Sequence, residues 1–413
     1  MTFNSAARSP AGRAPPSFAE FVSMMAACMA LQAFAIDGML PALADIGRDF
    51  AVDDANGLQW VITSFLIGNG LGQLLFGPLA DRYGRRPVVL GSVTLFGVLS
   101  LVATAATSLP MLLGTRVVQG FIAAGCGIVP RSIVRDRFSG STMARVMSSI
   151  FIIFLLVPMV APAVGQALLL VVNWRGIFAF LALCSLGVMA WMLLRLPETL
   201  PPERRRPLNS AHLFNAARFV LTEPSSILYT LAVTAMFGSI IAFVSTVPQI
   251  FTESFHRPDL MSLVFALCAG GMGVASFCNT RIVERVGMHR VSHLALVGFV
   301  SVTALHALLA SFTHEGLATF AVLQSLTMFG CGLSVSNFGT IAMQPMGAIA
   351  GSAASVQGVI STVGAALIAA LIGQQWSGSV AFLPLGALGC GLFAFACVLL
   401  AERSRMFRAR STH

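Results

Sequence analysis

The chain contains no lysine, has only 2 tyrosines in 413 residues, and carries charge on only 10% of its side chains. Set against 56% hydrophobic residues and a mean hydropathy of +0.85, that scarcity of charge excludes an ordinary water-soluble domain, in which about 25% of residues are charged. Its eight cysteines stand singly, with no Cys-x-x-Cys spacing and no histidine beside them, so neither a disulfide framework nor a metal site is expected, and no cofactor is implied. There is no His-Glu-x-x-His, no aspartate pair within an apolar run, and no serine with lysine or histidine in supporting context. An intramembrane enzyme is therefore not expected. No polar segment is long enough to fold alone, which argues against a receptor or scaffold.

What the chain does have is long apolar runs. A helix needs about 20 residues to cross about 30 Å of hydrocarbon. Twelve such spans fit, at 18–42, 57–79, 87–107, 109–130, 144–170, 173–195, 225–252, 259–280, 289–311, 315–340, 347–373 and 378–401. The tail before the first span has no apolar core of its own, so that span is read as uncleaved. With the N-terminus inside, 21 of the 25 arginines fall on the inner side. Arg48, Arg175 and Arg257 fall outside and Arg116 within a span, so the net charge of +9 reads as cytoplasmic termini rather than a nucleic-acid footprint. Trp60, Trp174, Trp191 and Trp376 lie near span ends, where an amphipathic ring is well placed.

The longest polar interruption divides the chain into a tail (1–17), a six-span half (18–195), a cytoplasmic linker (196–224), a second six-span half (225–401) and a tail (402–413). A weak repeat supports the division: Asp81-Arg82-Tyr83-Gly84 follows span two and Glu284-Arg285-Val286-Gly287 follows span eight. The expected fold is all-α, with twelve transmembrane helices in two parallel halves and a substrate site between them.

The loop "GPLADRYGRRP" resembles the signature of the major facilitator superfamily through Gly77, Asp81, Arg82, Gly84, Arg85 and Arg86, with a degenerate second copy at Glu284, Arg285 and Gly287. "RVVQGFIAA" is similar to the Arg-x-x-Gln-Gly element of twelve-span drug:proton antiporters, carried by Arg116, Gln119 and Gly120. "DGMLP", "QLLFGPLADRYGRRP", "NWRGIF" and "LPET" are similar to Bcr/CflA-type drug exporters. The fifth span, "VPMVAPAVGQ", keeps Pro158, Pro162 and Gly165 but few of the antiporter glycines, and its prolines imply a bent helix. The resemblance implies proton-coupled antiport of small amphipathic drug-like or metabolite compounds out through a bacterial inner membrane. The partners implied are a small-molecule substrate, protons and the lipid bilayer, with no nucleic acid and a complete pathway in each monomer. The alternative is a proton-coupled importer of a carboxylate or sugar.

Read physically, the signature loop is either a conformational latch or a topological anchor. Anchoring needs arginines but neither Asp81 nor the glycines, which favours the latch. Asp37 and Arg116 are the two charges placed within the hydrocarbon, each costing about 2.5 to 3.5 kcal/mol at a helix centre unless paired or wet. Roughly 8 and 10 Å below the same surface at 1.5 Å per residue, they could meet, as a proton-coupling and substrate-binding pair or as a static stitch. Gln119, one turn from Arg116, is a further candidate to bind substrate. His306 stays outside the mechanism, since a lone histidine is more often packed.

Overall fold

The computed structural model describes residues 16–52, 55–205 and 210–402. Residues 1–15, 53–54, 206–209 (Arg206 among them) and 403–413 lie outside the described residues. Those described form twelve α-helices of at least 20 residues and two short ones. In chain order they are α1 (Phe18–Asp37), α2 (Leu43–Asp49), α3 (Trp60–Tyr83), α4 (Arg85–Thr104), α5 (Leu109–Arg137), α6 (Gly140–Leu169) and α7 (Trp174–Arg195). There follow α8 (Ser210–Thr222), α9 (Pro224–Gln249), α10 (Met261–Val286), α11 (Met288–Phe312), α12 (Leu317–Met343), α13 (Ala350–Gly373) and α14 (Phe382–Ala401). Among the described residues, eleven helical segments are long and apolar enough to cross a membrane, and α6 contributes a shorter apolar stretch, Leu156–Leu169.

The chain divides into two compact units, one of residues 1–50 and 64–210, the other of 51–63 and 211–413. In the first unit, α1 is fastened to α7 near both ends. Arg195 donates two hydrogen bonds to Glu20, at 2.6 and 2.8 Å. Beyond the other end of α1, Asp49 of α2 accepts from the Trp174 indole at 3.0 Å and pairs with Arg175. The motif "NWRGIF" thus anchors the start of α7, where Asn173 also caps the helix by accepting from the Arg175 amide at 3.1 Å.

In the second unit, α9 is the central helix, with Tyr229, Met236, Phe299, Cys331 and Phe338 in one buried cluster. The segment 51–63 seats on this unit through Gln59, whose amide donates to Gln249 at 2.9 Å and to the Gly373 carbonyl at 3.1 Å. All eight cysteines are free thiols and six are buried, as small apolar residues usually are.

Candidate functional site

The first span is not one helix to residue 42. It breaks at "DGMLP": α1 stops at Asp37, Gly38 caps it by donating to the Phe34 carbonyl at 2.9 Å, and a 3-10 turn over Leu40–Ala42 leads into α2. The cause is in the sequence, because Pro41 has no N–H to continue the ladder toward the Asp37 carbonyl. A helix end within a membrane leaves orphan carbonyls that must find donors. Arg116 of α5 supplies one, donating to the Ala35 carbonyl at 2.8 Å.

Arg116 is fully buried. Besides the Ala35 carbonyl, its guanidinium donates to the Gln119 side-chain oxygen at 2.6 Å and lies 4.3 Å from the centre of the Phe65 ring and 5.8 Å from that of Phe178. The positive charge is thereby met by the negative end of the α1 dipole and by two aromatic faces. The Gln119 amide in turn donates to the Ser100 hydroxyl at 2.8 Å, which donates to the Phe96 carbonyl at 2.8 Å. Gly120 completes the element, for a Cβ there would lie 1.9 Å from the Phe65 carbonyl oxygen. "RVVQG" therefore joins α1, α3, α4 and α5 in one buried polar seam.

Asp37 is also buried, at 6% exposure, and among the described residues its carboxyl forms no ion pair and no hydrogen bond. Of the two arrangements open to Asp37 and Arg116, the structure holds the guanidinium on the Ala35 carbonyl, two residues before the acid. The facing helices do meet, but the guanidinium takes the backbone of α1 rather than its acid. Against the same break lies α6, which runs as one helix across Pro158 and Pro162. A Cβ at Gly165 would stand 2.2 Å from the Gly38 carbonyl oxygen, so this glycine lets α6 close onto the break.

The signature loop is a charge cluster within the first unit. Gly84 holds φ +104° and ψ 156°, a region open in practice only to glycine, and turns α3 into α4 with no intervening loop. Arg85 is buried and pairs with Asp81 at 2.6 Å and with Asp136 of α5 at 2.8 Å. Glu198, from "LPET", accepts the backbone amides of Arg85 at 3.0 Å and Arg86 at 3.2 Å, satisfying two orphan donors at the start of α4. The Arg86 guanidinium donates to the Leu193 carbonyl at 2.9 Å, and Arg82 lies against the Tyr83 ring. Gly77 sits inside α3 one residue before Pro78. Close approach of α3 to α5 occurs at Gly68 and Gly72, where a Cβ would come within 1.9 and 2.3 Å of α5 carbonyl oxygens.

Asp136 and Glu198 are the residues that sequence reasoning missed. Glu198 carried a signal, an acid within a quoted motif, while Asp136 lies between two arginines and reads as solvated charge.

The second copy behaves differently. Gly287 repeats the turn, with φ +88° and ψ 145°, but Glu284 and Arg285 are exposed and make no ion pair among the described residues. Further along α11, His306 is fully buried. Its Nε2 lies 2.9 Å from the Glu315 carboxylate, which is also buried.

The comparisons agree on the family. The family model described as Major Facilitator Superfamily matches residues 24–370. The chain is 30% identical over 385 residues to an uncharacterized MFS-type transporter, YdgK, of Bacillus subtilis, covering 92% of this chain and 93% of that one. It is 30% identical over 277 residues to a bicyclomycin resistance protein homolog of Haemophilus influenzae, covering 67% of this chain and 69% of the relative. It is 27% identical to the multidrug resistance protein MdtL of Escherichia coli, covering 90% and 92%. Among solved structures, the nucleoside transporter NupG superposes with a TM-score of 0.73 at 16% identity, over 92% of this chain and 99% of that one, which speaks for the fold alone. The chain is a multi-pass membrane transporter, not an enzyme, and it belongs to the major facilitator superfamily, alongside relatives of the Bcr/CflA drug-resistance type.

Proposed function

We propose that the protein exports small amphipathic compounds, drug-like or metabolite-like, from the bacterial cytoplasm in exchange for protons, by alternating access between its two six-helix halves with both termini cytoplasmic. The observation that carries this reading is Asp37, a buried acid at a broken helix end that forms no ion pair among the described residues. A carboxyl without a standing counter-ion can exchange a proton for a cationic or hydrogen-bonding substrate without first breaking an ion pair. Arg116 cannot readily deprotonate and is committed to the end of α1 and to Gln119, so the two act by holding the Asp37 segment in place. The names of the bicyclomycin resistance homolog and of the multidrug resistance protein MdtL support a drug-like substrate class. The Asp81–Arg85–Asp136 cluster, with Glu198 at the start of α4, is the latch that a change of state would break and remake.

The test is a susceptibility panel across antibiotic classes in cells lacking or overproducing the protein, with and without a protonophore. Export predicts at least one compound whose tolerance rises on overproduction, with the gain abolished by the protonophore. Sensitisation instead of tolerance, or a gain indifferent to the protonophore, contradicts the proposal.

A further inference from the structure

We propose that His289, His293 and Glu402 form a site for a divalent transition-metal ion of the zinc type, tying the start of α11 to the end of α14. The two histidines are four residues apart on α11 and so share one face. Glu402 directly follows the last turn of α14 and brings its carboxylate to that face, 3.1 Å from His289 Nδ1. The three potential ligand atoms all lie within 4.8 Å of one another. Around a tetrahedral ion with bonds of about 2.0 to 2.1 Å, ligand atoms stand about 3.4 Å apart, so the trio needs only to draw in slightly. Two imidazoles and one carboxylate make a donor set suited to zinc, with the remaining position left to water.

Tyr229 supplies the supporting shell. Its hydroxyl is buried on α9, donates to Glu402 Oε1 at 2.8 Å and stands 3.3 Å from His293 Nε2. A hydrogen bond to a ligating carboxylate fixes its direction, the usual outer-shell arrangement. The side chains of His289 and Glu402 retain 17% and 10% exposure, which gives an ion a way in. The ion would neutralise Glu402 and place positive charge at the C-terminal, negative end of α14. In sequence the only signal is the His-x-x-x-His spacing "HRVSH"; the carboxylate lies 109 residues further on.

The test uses the full chain purified in detergent without a histidine tag, stripped with a chelator and titrated with Zn²⁺ and with Co²⁺. The expected result is one ion per chain, visible absorption bands from low-coordinate Co²⁺, and a melting temperature raised by Zn²⁺. His289→Ala and the volume-conserving Glu402→Gln should each abolish stoichiometric binding and the thermal shift. Tyr229→Phe should weaken binding about 10- to 100-fold. Less than one ion per wild-type chain, or undiminished binding in both His289→Ala and Glu402→Gln, overturns the proposal.

Discussion

The turns from α3 to α4 and from α10 to α11 share a backbone and differ in almost everything else. Both are made by one glycine at positive φ, Gly84 and Gly287, with an acid three residues earlier and an arginine two residues earlier. In the first, Asp81, Arg85, Asp136 and Glu198 close a network around that glycine. In the second, Glu284 and Arg285 face outward, and the nearest polar cluster has moved to His289, His293, Glu402 and Tyr229. In each unit an acid shortly beyond the last long helix, Glu198 or Glu402, reaches the first turn of the helix that the glycine starts. What the repeat preserves is the turn and the reach of that acid, while among the described residues Asp81 and Arg85 form ion pairs and Glu284 and Arg285 form none. A four-residue motif match is thus good evidence of backbone geometry and poor evidence of electrostatic role.

The two turns differ most in what their glycines face. Gly84→Ala forces alanine into a glycine-only region, costing about 1 to 3 kcal/mol, and sets a Cβ 2.5 Å from Glu198 Oε2. Gly287→Ala carries the conformational cost alone, since a Cβ there meets nothing within 4 Å. Thermal unfolding in detergent should therefore rank Gly84→Ala clearly below Gly287→Ala, and equal losses would show that Glu198 gives way freely. The arginines come next. Arg85→Ala removes a buried cation from two partly exposed carboxylates and should cost about 2 kcal/mol. Arg285→Ala should stay within about 0.5 kcal/mol, read from the same melts. The smallest contrast lies at the acids: Glu198→Gln weakens the cap on α4 by about 1 kcal/mol, whereas Glu284→Gln should be silent.

Much of the fold is legible in the sequence because hydrocarbon thickness sets span length. A single span over 18–42 is too simple, because within "DGMLP" Gly38 and Pro41 are helix breakers that end α1 at Asp37. Rise per residue places Asp37 and Arg116 at one level but says nothing of helix rotation, and the guanidinium takes the Ala35 carbonyl. The contacts that Asp136 and Glu198 make with Arg85 are not legible for a different reason. The two acids stand 51 and 113 residues from Arg85, and no local period carries a contact over such a separation.

On the proposed mechanism Asp37 carries the exchange while Arg116 holds its helix end. In vesicles of purified protein, with an imposed pH gradient and a compound drawn from the susceptibility panel, Asp37→Asn should abolish gradient-driven uptake while leaving the melting temperature near wild type. Arg116→Gln should lower the melting temperature and slow transport while keeping its dependence on the gradient. Gradient-driven transport that survives intact in Asp37→Asn would contradict the account.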